Sequence, residues 1–166
     1  PDASSLPWDS IHDVPLALIT GTNGKTTTVR LLACMARAAG VRPGFSSTDQ
    51  VVVGEEVVER GDWSGPGGAR RVLRDKGTQV ALLETARGGM LRRGLAVERA
   101  DVAAVLNVGA DHLGEWGVGS VEALCQGKFV VTSVAPLAVL NADDDVVSRA
   151  GRALNKPIIW FSLGSP

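Results

Sequence analysis

The residues with the clearest chemical potential lie in a short stretch near the start of the chain. Residues 19–28 read ITGTNGKTTT, so a lysine and a threonine follow a glycine, as they do at the end of a phosphate-binding loop. The common loop G-x-x-x-x-G-K-[ST] would place a glycine where this chain has Ile19. Lys25 is expected to reach the outer phosphates of a nucleotide, and the Thr26 hydroxyl is expected to bind a magnesium ion. The alternative interpretation is a glycine-rich turn that only caps a helix.

A second candidate cluster follows the apolar stretch VALLE. Glu84 ends this stretch, and a carboxylate at that point of a phosphate-loop sheet commonly faces the metal. A solvated acid at a strand end is the alternative. Residues 85–89 then supply an arginine and two glycines, where neighbouring strand ends open a crevice. We expect this stretch to be a loop from which Arg87 could pair with a phosphate or a carboxylate.

A third cluster is NVGADHLGEWG, residues 107–117. It follows another apolar run, so Asn107, Asp111 and His112 should reach the same edge of the sheet as the first two clusters. Imidazole can bind a divalent metal, or the Asp–His pair can orient water or phosphate. A structural histidine is the alternative. Three polar clusters at three strand ends predict one shared site.

These clusters require parallel strands that end at one edge of a sheet. Apolar runs that alternate with helical patterns predict an α/β domain of the P-loop type, with three layers and a mainly parallel sheet flanked by helices. The stretch VVVGEEVV predicts a small β-hairpin at the sheet edge, and GDWSGPGG predicts a loop whose Trp63 could cap a pocket. The predicted buried strands are residues 16–20, 44–47, 79–84, 101–107, 137–140 and 157–161. The predicted helices are residues 25–39, 66–76, 121–133 and 143–154.

Composition narrows the class of protein. The 166 residues are 45% hydrophobic and 21% charged, which is typical of a single soluble domain with its own core. A net charge of −1 and the lack of a basic run argue against a nucleic-acid partner. No apolar run reaches the roughly 18 residues that a membrane helix needs. Cys34 and Cys125 fall in predicted helices, which favours buried thiols in a reducing compartment and therefore a cytoplasmic protein.

Together, the three clusters resemble the central ATP-binding domain of the Mur ligases, whose phosphate loop has the shorter form GTNGKT. Under this interpretation the loop needs no glycine at position 19, so Ile19 is compatible with phosphate binding. The stretches GTNGKTTT, GDWSGPGGAR, LETARGGMLRRGL, NVGADHLGEWG and LNADD resemble the Mur-ligase-like part of the cyanophycin synthetases more than the cell-wall enzymes. The resemblance extends over residues 15–144. The residues that carry the family pattern are Gly21, Thr22, Asn23, Gly24, Lys25, Thr26, Thr27, Glu84, Asn107, Asp111 and His112.

The resemblance implies an ATP-dependent ligase that uses Mg²⁺. ATP would phosphorylate the carboxylate of an acceptor, a peptide or an aspartate polymer, and the amine of an added amino acid, arginine or aspartate, would attack the acyl phosphate. Thr26 and Glu84 would hold the ion between the β- and γ-phosphates, and His112 would hold a second ion at the acceptor carboxylate. Lys128 stands where the family has a carbamylated lysine that assists the second metal; a surface lysine is the alternative.

The same resemblance assigns roles to further residues. Lys25, Glu84, His112 and Lys128 would be catalytic. Asn107 would orient the phosphate loop or contact phosphate, and Asn141, Asp143 and Asp144 would shape the nucleotide edge. The residues expected to contact ATP are Gly21, Thr22, Asn23, Gly24, Lys25, Thr26, Thr27, Arg87 and Asn107.

The domain organisation and the substrate leave alternatives open. Residues 1–14 are expected to be an N-terminal segment or linker, and residues 15–166 an incomplete central ATP-binding domain whose C-terminal ligase domain lies elsewhere in the same natural chain. A homo-oligomer is also possible on the sequence. The alternative functions are another Mur-type ligase, acting on a UDP-muropeptide or on folate, and a P-loop ATPase or nucleotide-sensing module.

Overall fold

The computed structural model describes residues 14–109 and 120–164. Across these ranges, strands and helices alternate along the chain, as the sequence predicts. The elements are β1 (Leu16–Thr20), α1 (Lys25–Ala38), β2 (Pro43–Ser46), β3 (Gln50–Val53), β4 (Glu56–Arg60), α2 (Pro66–Leu73), β5 (Val80–Glu84), α3 (Arg87–Arg93), β6 (Val102–Val105), α4 (Val121–Ser133), β7 (Leu137–Asn141), α5 (Asp145–Arg152) and β8 (Ile158–Phe161).

The strands form one sheet in the order β4-β3-β2-β5-β1-β6-β7-β8. Strands β2, β5, β1, β6, β7 and β8 are parallel, and β3 and β4 add an antiparallel hairpin at one edge. The predicted mainly parallel sheet and its small edge hairpin are therefore confirmed. In the centre, Ile19 of β1 pairs with Glu84 of β5, and Thr20 pairs with Val105 of β6. The carboxyl ends of these three strands thus meet at one edge.

Helices cover both faces of the sheet, so the predicted three layers are also confirmed. On one face α1 buries Val29 and Ala33 against Ile19 and its neighbours. On the other face α2, α3, α4 and α5 all contribute to a larger core. None of the helices in the described ranges is long and apolar enough to cross a lipid bilayer.

The stretch after β5 differs from its predicted loop, because helix α3 begins at Arg87. Its second and third residues are Gly88 and Gly89, and each glycine costs about 1 kcal/mol in a helix relative to alanine. Intrinsic helix propensity therefore does not predict this helix. Tertiary packing overrides that cost, since Met90 is buried against the core.

Two burial predictions are also wrong. Cys125 is buried, but Cys34 is exposed on α1. The sequence predicts a buried strand over residues 157–161, whereas Ile159, Trp160 and Phe161 of β8 are all exposed. The reason is position: β8 is the outermost strand of the described sheet and pairs on one side only, with β7.

Candidate functional site

The phosphate loop lies where the sequence predicts it, between β1 and α1. Gly24 is the residue just before α1 and has a φ of 83°, a left-handed conformation that strains any other residue type. Within the described residues, no side chain caps the first turn of α1. The amides of that turn, together with the helix dipole, are therefore available to an anion. The Lys25 ammonium lies over the loop and donates to the Thr22 carbonyl at 2.9 Å.

Asn107 holds the phosphate loop in shape from the end of the neighbouring strand. Its Oδ1 accepts from the Asn23 amide at 2.8 Å, and its Nδ2 donates to the Asn23 carbonyl at 3.1 Å. Its carbonyl also accepts from the Thr22 amide at 3.0 Å, and the Gly109 amide donates to Thr22 Oγ1 at 2.8 Å. These bonds fit the loop-orienting role expected for Asn107, and its direct contact with phosphate stays a prediction.

Asn107→Ala should therefore loosen the phosphate loop. Two side-chain hydrogen bonds to the Asn23 backbone are lost, so we expect the free energy of unfolding to fall by about 1–2 kcal/mol. We also expect affinity for Mg·ATP to fall by roughly five- to tenfold, because a mobile loop must be ordered on binding. Urea unfolding and calorimetric titration measure the two effects. Asn155→Ala, at an exposed asparagine, is the matched control. Unchanged nucleotide affinity in Asn107→Ala would contradict this role.

Glu84 and Thr26 lie together beneath the loop, as predicted. The Glu84 side chain is only 2% exposed, and its Oε2 accepts from Thr26 Oγ1 at 2.8 Å and from the Thr48 amide at 3.3 Å. Its Oε1 is buried and has no hydrogen-bond partner among the described residues. A buried carboxylate oxygen without a donor is costly, and a hard cation would satisfy it. The residues present therefore fit a magnesium ion held by Glu84 and Thr26.

Thr48, which is not among the residues predicted from the sequence, also belongs to this cluster. Its amide donates to Glu84, and its hydroxyl lies 3.0 Å from Thr26 Oγ1. The available signal was the hydroxyl-rich stretch SST, which follows Phe45 at the end of β2. Because β2 is parallel to β5, that strand end had to reach the same edge of the sheet.

A cleft of about 490 Å³ opens beside the phosphate loop. Its walls come from the phosphate loop, residues 62–65, the first turn of α2, and helices α3 and α4. The predicted loop over residues 61–68 is therefore shorter than expected, because α2 begins at Pro66. Among the described lining residues, five side chains are cationic and one is a carboxylate, although the whole chain has a net charge of −1. Positive charge is thus concentrated here, which favours a polyanionic ligand. The cationic residues are Lys25, Arg87, Arg92, Arg93 and Lys128, and the carboxylate is Asp62.

Lys128 is buried in the wall of this cleft and is not a surface lysine. It lies on α4 and is only 5% exposed. Burial, followed by the nearby charges of Lys25 and Arg87, lowers the pKa of Lys128 from 10.5 to about 8. A larger fraction of neutral amine is therefore present near neutral pH than for an ordinary lysine, and the neutral amine is the nucleophilic form.

Lys128→Met should stabilise the fold at pH 7. In the folded protein the pKa of Lys128 is about 8, whereas an unfolded lysine has a pKa of about 10.4. The unfolded state binds more protons between these values, so wild-type stability rises with pH across that window. We expect methionine to gain on the order of 1 kcal/mol at pH 7, and this gain should vanish as the pH approaches about 10.

Urea unfolding at both pH values, in buffer free of bicarbonate, measures this effect. Lys76→Met, at an exposed lysine, controls for the loss of one positive charge. A gain in Lys128→Met that does not change between the two pH values would show that buried charge is not its cause.

Three residues that are expected to border the nucleotide make hydrogen bonds between the ends of neighbouring strands. Asn141 Nδ2 donates to the Leu106 carbonyl at 3.0 Å. Asp144 Oδ2 accepts from the Val108 amide at 2.8 Å, while its Oδ1 caps α5. Asp143 accepts from the Ser162 hydroxyl and from the Leu163 amide. Asn141 and Asp144 therefore fix the segment that follows β6, and their contact with a nucleotide stays a prediction.

Two of the remaining predicted residues lie in the described part of the chain, and two lie outside it. Arg87 lines the cleft, and Thr27 is exposed on the first turn of α1. Asp111 and His112 lie in residues 110–119, outside the described part of the chain, so their predicted roles rest on the resemblance alone.

Known proteins are similar to this chain in sequence and in fold. A cyanophycin synthetase of Crocosphaera subtropica is 46% identical over 161 residues, which cover 95% of this chain and 18% of that protein. A cyanophycin synthetase of Synechocystis is 46% identical over 153 residues, which cover 90% of this chain and 18% of that protein. The chain thus spans about a fifth of the length of these curated relatives.

The solved structures and the family model agree with this result. A UDP-N-acetylmuramoyl-L-alanyl-D-glutamate-2,6-diaminopimelate ligase matches with a TM-score of 0.76 at 24% identity, over 95% of this chain and 34% of that one. That likeness shows the fold. The model of the Mur ligase middle domain matches residues 19–165, which is most of the sequence. By this match, the chain belongs to the Mur ligase middle domain family.

Proposed function

We propose that the phosphate loop and the cleft beside it form the ATP site of an amide ligase. The ligase would activate a carboxylate as an acyl phosphate for attack by an amino-acid amine, as in cyanophycin-type addition of arginine or aspartate. The observation that carries the proposal is the buried Glu84, which has one unsatisfied oxygen and lies against Thr26 beneath the phosphate loop. Membership of the family and the similarity to cyanophycin synthetases support the same function.

The residues of the cleft divide the work of the reaction. The amides of the first turn of α1 and the Lys25 ammonium would hold the phosphates, and Arg87 would offset charge at the γ-phosphate. A carboxylate oxygen of the acceptor attacks the γ-phosphorus, and ADP leaves. The amine, after losing a proton, attacks the acyl carbon, and inorganic phosphate leaves with the oxygen that joined the two groups. Mg²⁺, bound by Thr26 and Glu84 with a second ion at His112, would neutralise the repulsion between the two anions.

Lys128 would complete the cleft as a carbamate. Its buried amine, with a pKa of about 8, can attack carbon dioxide, and the nitrogen then loses a proton to solvent. The product is a carbamate, an anionic oxygen ligand in place of a cation. The Lys128 ammonium is repelled by the positive charges of Lys25 and Arg87, whereas a carbamate at this position would be attracted by both. The cationic neighbours Lys25 and Arg87 therefore favour the carbamate over the free ammonium, and burial increases the fraction of neutral amine that can react.

We also propose how the sequence fits into a longer protein. The match covers only 18% of each similar cyanophycin synthetase, so this sequence would be one part of a longer protein. Residues 15–166 would act as its central ATP-binding domain, and residues 1–14 would be a linker. A C-terminal ligase domain of the same natural chain would close over ATP and bring in the amine. The substrates would be ATP, a peptide or aspartate-polymer acceptor and an amino acid, and the protein would act in the cytoplasm.

ADP release by the natural full-length protein tests this function. We would measure it with Mg·ATP and each proteinogenic amino acid, with and without a peptide primer that has an aspartate backbone. The proposal predicts release that requires both an amine and the primer, and a loss of about a hundredfold or more in His112→Ala. His12→Ala, at the other histidine of the sequence, is the matched control.

Other outcomes assign other functions. Release that requires a UDP-muropeptide or a folate acceptor would keep the ligase chemistry and replace the substrate. Release that is indifferent to every amine and acceptor, and that survives His112→Ala, would overturn the ligase proposal in favour of an ATPase or nucleotide-sensing module.

A further inference from the structure

Residues 62–65, which we call the wall segment, lie between the end of β2 and the start of α3. On one side, the Trp63 amide donates to the carbonyl of Ser47, which follows β2, at 2.9 Å. On the other side, the Ala86 amide, just before α3, donates to the Ser64 carbonyl at 2.9 Å. Backbone hydrogen bonds therefore hold the wall segment in place between these two elements.

The wall segment and α3 touch each other through two glycines. A Cβ added to Gly89 would lie 3.0 Å from the Cα of Gly65 and 3.6 Å from the Ser64 carbonyl oxygen. Gly65 is extended, with a φ of −130°, and Gly89 is helical, so the backbone conformation of both positions would allow alanine. The space between the two backbones, and not the backbone conformation, is therefore what requires glycine at position 89.

The same contact determines where Arg87 lies. Arg87 is the first residue of α3 and lines the cleft, and its charge is close enough to Lys128 to lower the pKa of that lysine. Arg87 and Gly89 belong to one helical turn, so a shift of the backbone at Gly89 carries Arg87 with it. The position of Arg87 in the cleft thus depends on how closely α3 approaches the wall segment.

We propose that Gly89 is a positioning residue, which sets the Arg87 guanidinium at the γ-phosphate through its contact with Gly65. In a packed interior, a methyl group at 3.0 Å forces its neighbour to give by a few tenths of an ångström. Hydrogen bonds from a guanidinium to phosphate depend on distance and orientation, so this displacement weakens them. The place of the γ-phosphate beside Arg87 rests on the proposed function.

Equilibrium binding of two nucleotides tests the inference without any need for turnover. The natural full-length protein would be titrated by calorimetry with Mg²⁺ and either a non-hydrolysable ATP analogue or ADP, because only the analogue has a γ-phosphate. We expect Gly89→Ala to weaken binding of the analogue by about three- to tenfold and to leave the affinity for ADP within about twofold of wild type. Lys25→Ala, titrated in parallel, gives the binding that does not occur at this phosphate loop, and this background is subtracted.

A double-mutant cycle shows whether Gly89 acts through Arg87. Arg87→Gln should lower the affinity for the ATP analogue, and adding Gly89→Ala to this variant should then cost less than about twofold. If Gly89→Ala weakens binding by the same factor in both backgrounds, Gly89 does not act through Arg87 and the inference is wrong.

Two other alanine variants control for the added methyl group. Gly65→Ala places its Cβ 3.5 Å from the Gly89 Cα, an ordinary van der Waals distance, so it should retain more affinity for the analogue than Gly89→Ala does. Gly88→Ala adds the same methyl group to α3, where the nearest atom is Nη2 of Arg92 at 3.8 Å. Its melting temperature should be higher than that of Gly89→Ala, because both gain helix propensity but only Gly89→Ala meets a backbone.

Several results would overturn the positioning role. They are wild-type affinity for the analogue in Gly89→Ala, an equal loss of affinity for the analogue and for ADP in that variant, and equal losses in Gly65→Ala and Gly89→Ala. Arg87→Gln with wild-type affinity for the analogue would also overturn it, because Arg87 would then have no contact with the γ-phosphate to be positioned for. Melting temperatures confirm that each variant is folded.

The positioning role and the proposed function can fail separately. Amine-dependent ADP release together with an additive cycle would reject the positioning role alone. ADP release that ignores every amine, together with a non-additive cycle, would reject the ligase and keep Gly89 as the residue that positions Arg87.

Discussion

Lys25→Ala should reduce ATP-dependent turnover of the natural full-length protein by about a thousandfold or more in kcat/KM. The Lys25 ammonium lines the cleft and lies over the phosphate loop, where it bonds the Thr22 carbonyl at 2.9 Å. A lysine at this position can leave that carbonyl for the outer phosphates as charge moves onto them. Alanine removes this charge from a site where water cannot replace it fully.

Steady-state kinetics of ADP release measure the loss. Lys76→Ala, at an exposed lysine after α2, controls for the change in net charge. The fold should remain intact in Lys25→Ala, because the side chain makes one bond to a loop carbonyl and lies in the cleft. A folded Lys25→Ala protein that retains a tenth of wild-type kcat/KM would show that the loop is not a phosphate site.

Glu84→Gln should lower the activity of the protein without lowering its stability. We expect kcat/KM to fall by about a hundredfold to a thousandfold, because the amide oxygen is a weak ligand for Mg²⁺ in place of a carboxylate. The melting temperature without metal should be equal to or higher than that of the wild type. Glu84 buries a charge and leaves Oε1 without a hydrogen-bond partner among the described residues, and a neutral amide lowers that cost.

Thermal unfolding with and without Mg·ADP tests the metal assignment directly. Wild-type protein should be stabilised by saturating Mg·ADP, since the ligand binds only the folded state, and Glu84→Gln should lose most of this shift. Glu55→Gln, at the exposed turn of the edge hairpin, is the isosteric control. A full Mg·ADP-dependent shift in Glu84→Gln would remove Glu84 from the metal site.

The layout of the fold is predictable from the sequence because hydrophobic patterning specifies it. Continuous apolar runs of five residues such as LALIT and VALLE are typical of buried strands of a parallel sheet, and the helical patterns between them supply the crossovers. Parallel strands bring their carboxyl ends to one edge, so the convergence of Thr26, Glu84 and Asn107 follows from topology. The edge hairpin follows from Gly54, which adopts a φ of 62° in its turn.

Contacts between distant residues are what the sequence does not show. Asn107 and Asn23 are 84 positions apart, and only the folded sheet makes them partners. The same is true of Thr48, which reaches Glu84 because β2 and β5 are parallel neighbours. Local propensity does not predict helix α3, because its two glycines disfavour a helix and the packing of Gly89 against Gly65 is not visible in the sequence. The burial of Lys128 likewise depends on its neighbours in space.

The most direct test of the proposed ligase follows an oxygen atom. An acceptor peptide whose carboxylates carry a heavy isotope of oxygen would be incubated with the natural full-length protein, Mg·ATP and the amino acid that supports ADP release. Attack of the carboxylate on the γ-phosphorus transfers one labelled oxygen to phosphate, so mass spectrometry should find one heavy oxygen in each inorganic phosphate released. Phosphate that draws its new oxygen from water instead would mean that the cleft hydrolyses ATP, and the ligase account would be wrong.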